Sequence, residues 1–143
     1  MNRREELACA AGFFNGEGCT CAAYLYRRQD GSKYSYVQIS ISQSGENGRE
    51  CLEQFDRAVG NLGKIYGPRP PARNQKKIRF QYEVNGEVKV QAVIAMLWAW
   101  LSTDKKTQAV NALRRSRDSA GTKEQRAEWA RAGGLATQRL RRR

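Results

Sequence analysis

The chain has 143 residues and carries 26 Lys and Arg against 14 Asp and Glu, a net charge of +12 with a pI near 10.0 and no histidine. That length suits one compact domain with its own core, and that charge points to a polyanion, nucleic acid first. Histidine-based nuclease and triad chemistry is excluded, no apolar run is long enough to span a bilayer, and no secretory signal pattern is present, so the protein is expected inside a cell.

Residues 3–14 read as a helix, with Glu5 and Glu6 suited to its first turn and Asn15-Gly16 as its stop. Ala8 and Gly12 lie four apart with Ala11 beside them. This small-residue face lets a second helix approach almost to backbone contact. Glu17 then follows the helix between Gly16 and Gly18. A carboxylate at that end opposes the helix dipole, so local stability does not explain it, whereas a bound cation does.

Two strand-like runs follow, 19–28 and 33–42, with Asp30-Gly31 between them as a hairpin signal. The second alternates, Val37, Ile39 and Ile41 on one face and Tyr36, Gln38, Ser40 and Ser42 on the other. In the first run hydrophobicity alone does not settle which parity faces the core. Cys9, Cys19, Cys21 and Cys51 read as reduced, mostly buried thiols, since no pairing or zinc spacing links them.

Residues 45–48 make a turn and 49–61 a helix, with Leu52, Phe55, Val59 and Leu62 on one stripe. A second hairpin comprises 64–66, a loop rich in proline and basic residues over 68–75, and 76–84. In the last of these Ile78, Phe80, Tyr82 and Val84 face one way, and Lys77, Arg79, Gln81 and Glu83 the other. Asn85-Gly86 closes it. Helices over 87–101 and 105–115 follow, separated at Ser102-Thr103-Asp104. From residue 114 onward ten Lys and Arg face three acids, +7 of the net +12. That segment is either a solvated tail or an arm that lies along phosphates. The element order predicts an α+β fold, one four-stranded antiparallel sheet with helices over its apolar face and a polar, basic face left open. The domain is expected over 1–115, with a basic tail over 116–143.

The stretch Ala10-Ala11-Gly12-Phe13-Phe14-Asn15-Gly16-Glu17-Gly18 resembles the signature of the LAGLIDADG homing endonucleases. Asn15 replaces the first acid of the pattern, and Glu17 stands at its metal-binding acid. The resemblance extends to about Leu113 and implies an αββαββα fold whose sheet forms a DNA-binding saddle. It sets Thr20, Ala22 and Tyr24 inward. With one motif per chain, it implies a homodimer in which Ala8, Ala11 and Gly12 pack against the partner and both Glu17 side chains meet near the axis. The target is then palindromic or nearly so.

The resemblance further implies Mg²⁺, held by Glu17 with the Gly16 carbonyl, and no small-molecule cofactor. It implies a polar residue at the end of the second strand, matched by Gln43, and a basic residue at the next helix start, matched by Arg49. A lysine after the late helix is matched by Lys105 or Lys106. Base reading falls to Tyr34, Tyr36, Gln38 and Ser40 with Lys77, Arg79 and Gln81, because Arg and Gln have the donor geometry for guanine and adenine. Arg27 points to the same face, and Lys33, Arg69, Arg73 and Lys76 are expected on phosphates. The expected activity is a site-specific double-strand break in DNA, encoded by an intron or a stand-alone gene. The alternative is the same fold used without cleavage, as in RNA maturases and some regulators.

Overall fold

The computed structural model describes residues 1–27, 29, 33–71, 73–120, 127, 128 and 131; for residues 23–27, 33, 34 and 120 it describes the backbone alone. The Asp30-Gly31 turn, the side chains of Tyr24, Arg27, Lys33 and Tyr34, and the expected arm over 121–143 apart from residues 127, 128 and 131 lie outside the described residues.

Helix α1 is Arg3–Glu17. Asn2 opens it with a reciprocal cap: Glu5 N donates to Asn2 Oδ1 at 3.0 Å, and Asn2 N donates to Glu5 Oε2 at 3.0 Å. Leu7, Ala10, Ala11 and Phe14 form its inward stripe at helical spacing. The helix runs through Asn15-Gly16, because neither residue takes the left-handed conformation that ends a helix. It stops at Gly18, which is extended and whose N–H bonds the Phe14 carbonyl. Glu17 is therefore the last helical residue, and the chain passes without a loop into strand β1, Gly18–Arg27.

Strand β2 is Lys33–Ser44, helix α2 Gly48–Ala58, strand β3 Lys64–Arg69 and strand β4 Arg79–Asn85. All pairings are antiparallel and the sheet order is β1-β2-β4-β3. Pro68 lies in β3, an edge strand, where the missing N–H costs no ladder bond. Helix α3 is Glu87–Leu97, followed by a single 3₁₀ turn, Trp98–Trp100, and helix α4, Thr103–Ala120. Ser102 Oγ accepts from Lys105 N at 3.3 Å, so the Ser-Thr-Asp sequence caps α4 rather than lying loose before it.

The core lies between the helices and one face of the sheet. Val37, Ile39 and Ile41 of β2 and Phe80, Tyr82 and Val84 of β4 are buried there. They meet Phe14 of α1, Leu52 and Phe55 of α2, Val90, Val93 and Leu97 of α3, and Ala109 and Ala112 of α4. Phe55 stacks on Phe14 at 6.2 Å and takes Tyr82 edge-on at 5.5 Å. Each large side chain so buried stabilises the fold by about 1.5–3 kcal/mol. Thr20 is buried and Ala22 packs against the core, in the inward register expected for them.

Helix α4 extends past Arg115 and lies against β1 and β2. Thr20 N donates to Gln108 Oε1 at 3.0 Å, and Ser35 N to Ser119 Oγ at 2.9 Å. Residues 116–120 thus belong to the packed body. Ile78 differs from expectation: β4 starts at Arg79, three residues later than the expected 76, so Ile78 is 37% exposed instead of facing the core. Its carbonyl accepts from Gly45 N at 2.8 Å. The thiols differ too. Cys9 and Cys51 are exposed and Cys19 and Cys21 half-buried, all four free, because α1, α2 and β1 present these positions away from the core.

Candidate active site and nucleic-acid interface

The end of α1 and the start of α4 meet. Glu17 is exposed there and makes no ion pair among the described residues. Lys105 Nζ donates to the carbonyl of Gly18, the residue after Glu17, and lies 6.0 Å from the Phe14 ring. A cation at the C-terminal end of α1 is well placed against the helix dipole. Lys106 goes elsewhere: its ammonium sits 5.1 Å over the Trp98 ring. Between the two lysines left open by the sequence, the structure brings Lys105 to the motif.

Gln43 is half-buried at the end of β2, its Nε2 donating to the Ser42 carbonyl at 2.9 Å. Gly48 packs directly against it; a Cβ at position 48 would come within 3.1 Å of Gln43 Cβ. Arg49 is exposed, and its Nε donates to Glu53 Oε1 at 2.9 Å. This i,i+4 pair holds it to the surface of its own helix.

On α1 the small residues divide. Ala11 is fully buried inside its own chain, so it cannot face a partner. The reason is periodicity: it lies three and four residues from Phe14 and Leu7, on the stripe that faces the core. Gly12 and Gly16 are exposed and Ala8 half-exposed. The open small-residue face is therefore Ala8, Gly12 and Gly16, and a Cβ at either glycine would meet nothing within 4 Å.

The sheet face opposite the core is polar. Its cross-strand partners are Cys19 with Ser40, Cys21 with Gln38, Ser40 with Glu83, Ser42 with Gln81, and Lys64 with Glu83. Gln81 Nε2 donates to Ser40 Oγ and its Oε1 accepts from Ser42 Oγ; Gln38 Nε2 donates to Asn85 Oδ1 at 2.7 Å. Tyr36 is half-buried on the same face. Burial raises the Cys21 thiol above its ordinary pKa, with smaller contributions from Cys19 and Glu83, so the Cys21 thiol stays a neutral neighbour of the amides. Arg69, Arg73, Lys76 and Lys77 are exposed along β3 and the loop before β4. The Arg69 guanidinium lies 5.9 Å over the Tyr66 ring, and Arg79 Nε donates to the Pro70 carbonyl at 3.2 Å. This rim can hold phosphates and this face can present amides, hydroxyls and an arginine to base edges.

Sequence reasoning missed Asn15, Ser102 and Gln108, which fasten α4 to the motif helix and β1. The serine followed by Thr-Asp carried a cap signal that could have placed the start of α4. The two side-chain amides bridge distant stretches of sequence and left no local mark.

Among the described residues no group of three or more Cys, Asp or Glu forms a metal cluster, and no helix is long and apolar enough to cross a membrane. No family model and no curated protein matches the sequence. Solved structures do. The homing endonuclease I-CvuI, in complex with its target in the presence of 2 mM Ca, superposes with a TM-score of 0.64 at 22% identity, over 94% of this chain and 83% of that one. The archaeal intron-encoded homing endonuclease I-Vdi141I, complexed with DNA, gives 0.52 at 21%, over 69% of this chain and 57% of that one. The LAGLIDADG meganuclease I-AabMI, bound to uncleaved DNA, gives 0.57 at 19%; 90% of this chain matches 42% of that one. With helices over one face of a four-stranded antiparallel sheet and the motif helix running straight into its first strand, the chain has the fold of the LAGLIDADG homing endonucleases.

Proposed function

We propose that the protein is a site-specific DNA endonuclease that acts as a homodimer, making a double-strand break in a long, pseudo-palindromic site by metal-dependent phosphodiester hydrolysis. The observation that carries this reading is the juxtaposition at the end of α1: an exposed carboxylate at Glu17, without an ion pair among the described residues, with Lys105 held one residue away. The DNA-bound homing endonucleases of the same fold support it.

The donor set fits a hard divalent cation such as Mg²⁺, since the Glu17 carboxylate and the Gly16 carbonyl offer oxygen alone. When bound, the ion activates a water and stabilises charge on the scissile phosphate. One chain supplies one such carboxylate, and two copies joined through Ala8, Gly12 and Gly16 supply two. Lys105 neutralises charge on the phosphate. Gln43 orients water, with Arg49 and Lys106 on the flanks. The rim residues Arg69, Arg73 and Lys76 hold the backbone while Tyr36, Gln38, Ser40, Lys77, Arg79 and Gln81 read bases, joined by Arg27, Lys33 and Tyr34 from the far end of the first hairpin.

The test is selection of cleaved and bound sequences from a random DNA pool, with Mg²⁺ and with Ca²⁺, for the wild type and Glu17→Gln. Cleavage of a near-palindromic site with Mg²⁺, lost in Glu17→Gln with binding retained, is expected. Binding without cutting by the wild type would leave a nucleic-acid-binding protein of this fold.

A further inference from the structure

Asn15 stands where the motif ordinarily carries an acid, and its half-buried side chain is used at both ends. Its Nδ2 donates to the Trp100 carbonyl at 3.0 Å, and its Oδ1 accepts from Ser102 N at 2.9 Å. The partners fix the amide's orientation. Flipped, it would set two donors together at Ser102 and two acceptors together at Trp100. An aspartate would keep the Ser102 bond but has no donor for Trp100.

These bonds close a loop. Trp100 ends the 3₁₀ turn, Ser102 caps α4 through Lys105 N, and Lys105 Nζ returns to Gly18 beside the motif. Asn15 is thus the side chain by which α1 fixes the start of the helix that carries Lys105. Lys106, one residue on, leaves this loop for Trp98.

We propose that Asn15 is a positioning residue that sets Lys105 Nζ against the end of the motif helix, and that an amide is required because the position must both donate and accept. The consequence for cleavage rests on the nuclease reading; the placement of Lys105 does not.

Asn15→Asp is the discriminating variant: it is isosteric, keeps the acceptor, and exchanges the donor for a second acceptor and a negative charge, and Asn15→Ala, which removes the donor without adding charge, is its control. In single-turnover cleavage with Mg²⁺ the rate of Asn15→Asp falls on the order of tenfold to a hundredfold, while binding of the same DNA in Ca²⁺ stays within about twofold. In a Lys105→Met background Asn15→Asp costs nothing further, because both act through one group. Multiplying losses overturn the proposal. The second arm needs neither DNA nor metal: amine acylation of the free protein, read at Lys105 and Lys106 by mass spectrometry. Lys105 reacts severalfold faster in Asn15→Asp and Lys106 is unchanged. An unchanged Lys105, or both lysines accelerating together, refutes the placement. If the wild type cuts no DNA, the nuclease reading falls and the acylation arm alone decides for Asn15. Should Asn15→Asp not fold, Asn15→Ala is measured in its place, since it drops both bonds without opposing two acceptors.

Discussion

Phe14 stands where any side chain on Gly18 would have to go: a Cβ there would meet Phe14 Cδ2 at 2.2 Å. Phe14 is fully buried and stacked on Phe55, so it cannot swing aside cheaply. Gly18→Ala is expected to destabilise the fold by about 1–3 kcal/mol, the cost of overpacking a filled core. Urea unfolding measures it, and an unchanged midpoint would mean the ring yields. Because Glu17 and the Gly18 carbonyl flank the strain, cleavage should fall as well.

Tyr82 gives a pH-dependent prediction. Its hydroxyl donates to Asp56 Oδ1 at 2.7 Å, and the same oxygen accepts from Gly63 N at 3.0 Å. Burial first, then the Asp56 bond and charge, hold the phenol well above its ordinary pKa of 10.0. Below pH about 10 folded and unfolded chains both keep the proton, and this residue adds no slope. Above it only the unfolded chain releases the proton, so stability declines as pH rises. Tyr82→Phe should lose about 0.5–1.5 kcal/mol at neutral pH and show a shallower alkaline decline. Chemical denaturation at pH 8 and pH 11 compares them.

Gly12 and Ala11 are neighbours in sequence with opposite expected phenotypes. Nothing crowds a side chain at Gly12, whereas Ala11 is sealed in the core. Gly12→Leu should leave the single chain folded and convert dimer to monomer in sedimentation. Ala11→Leu should instead lower stability by about 1–3 kcal/mol through overpacking. A Gly12→Leu protein that still sediments as a dimer would move the subunit contact off α1.

For the basic rim, replacing Arg69, Arg73 and Lys76 together by Gln should weaken binding to every DNA sequence alike and, with both subunits of the dimer altered, lower the salt slope by about 5. Arg79→Ala should instead relax preference at one base position in each half-site, by about 1–3 kcal/mol apiece. Affinity titrations over a salt series separate the two behaviours.

Where periodicity and burial agree, the fold was legible before any coordinates. The alternation of Val37, Ile39 and Ile41, and of Phe80, Tyr82 and Val84, placed β2 and β4 and named their inward faces. The motif helix and the open polar face were legible as well, though the helix runs on through Glu17 instead of stopping at Asn15-Gly16. Ala11 was misplaced because small residues fit equally well against a partner or against the chain's own core, and only Phe14 and Leu7 across the turn decide between them. The roles of Asn15 and of Lys105 against Lys106 depend on how α4 approaches α1, a contact between stretches far apart in sequence. Ile78 followed the right alternation but fell outside the strand, since pairing of β4 begins only at Arg79.

The trio Ser42, Gln81 and Ser40 shares its hydrogen bonds, and Gln38 is likewise tied to Asn85. Altering one member frees or strands the others, so under the proposed function recognition on this surface would be written in words rather than letters. Retargeting by single substitution would then scramble neighbouring positions, and libraries that randomise 40, 42 and 81 as one block, with 38 and 85 as a second, match the grain of the molecule.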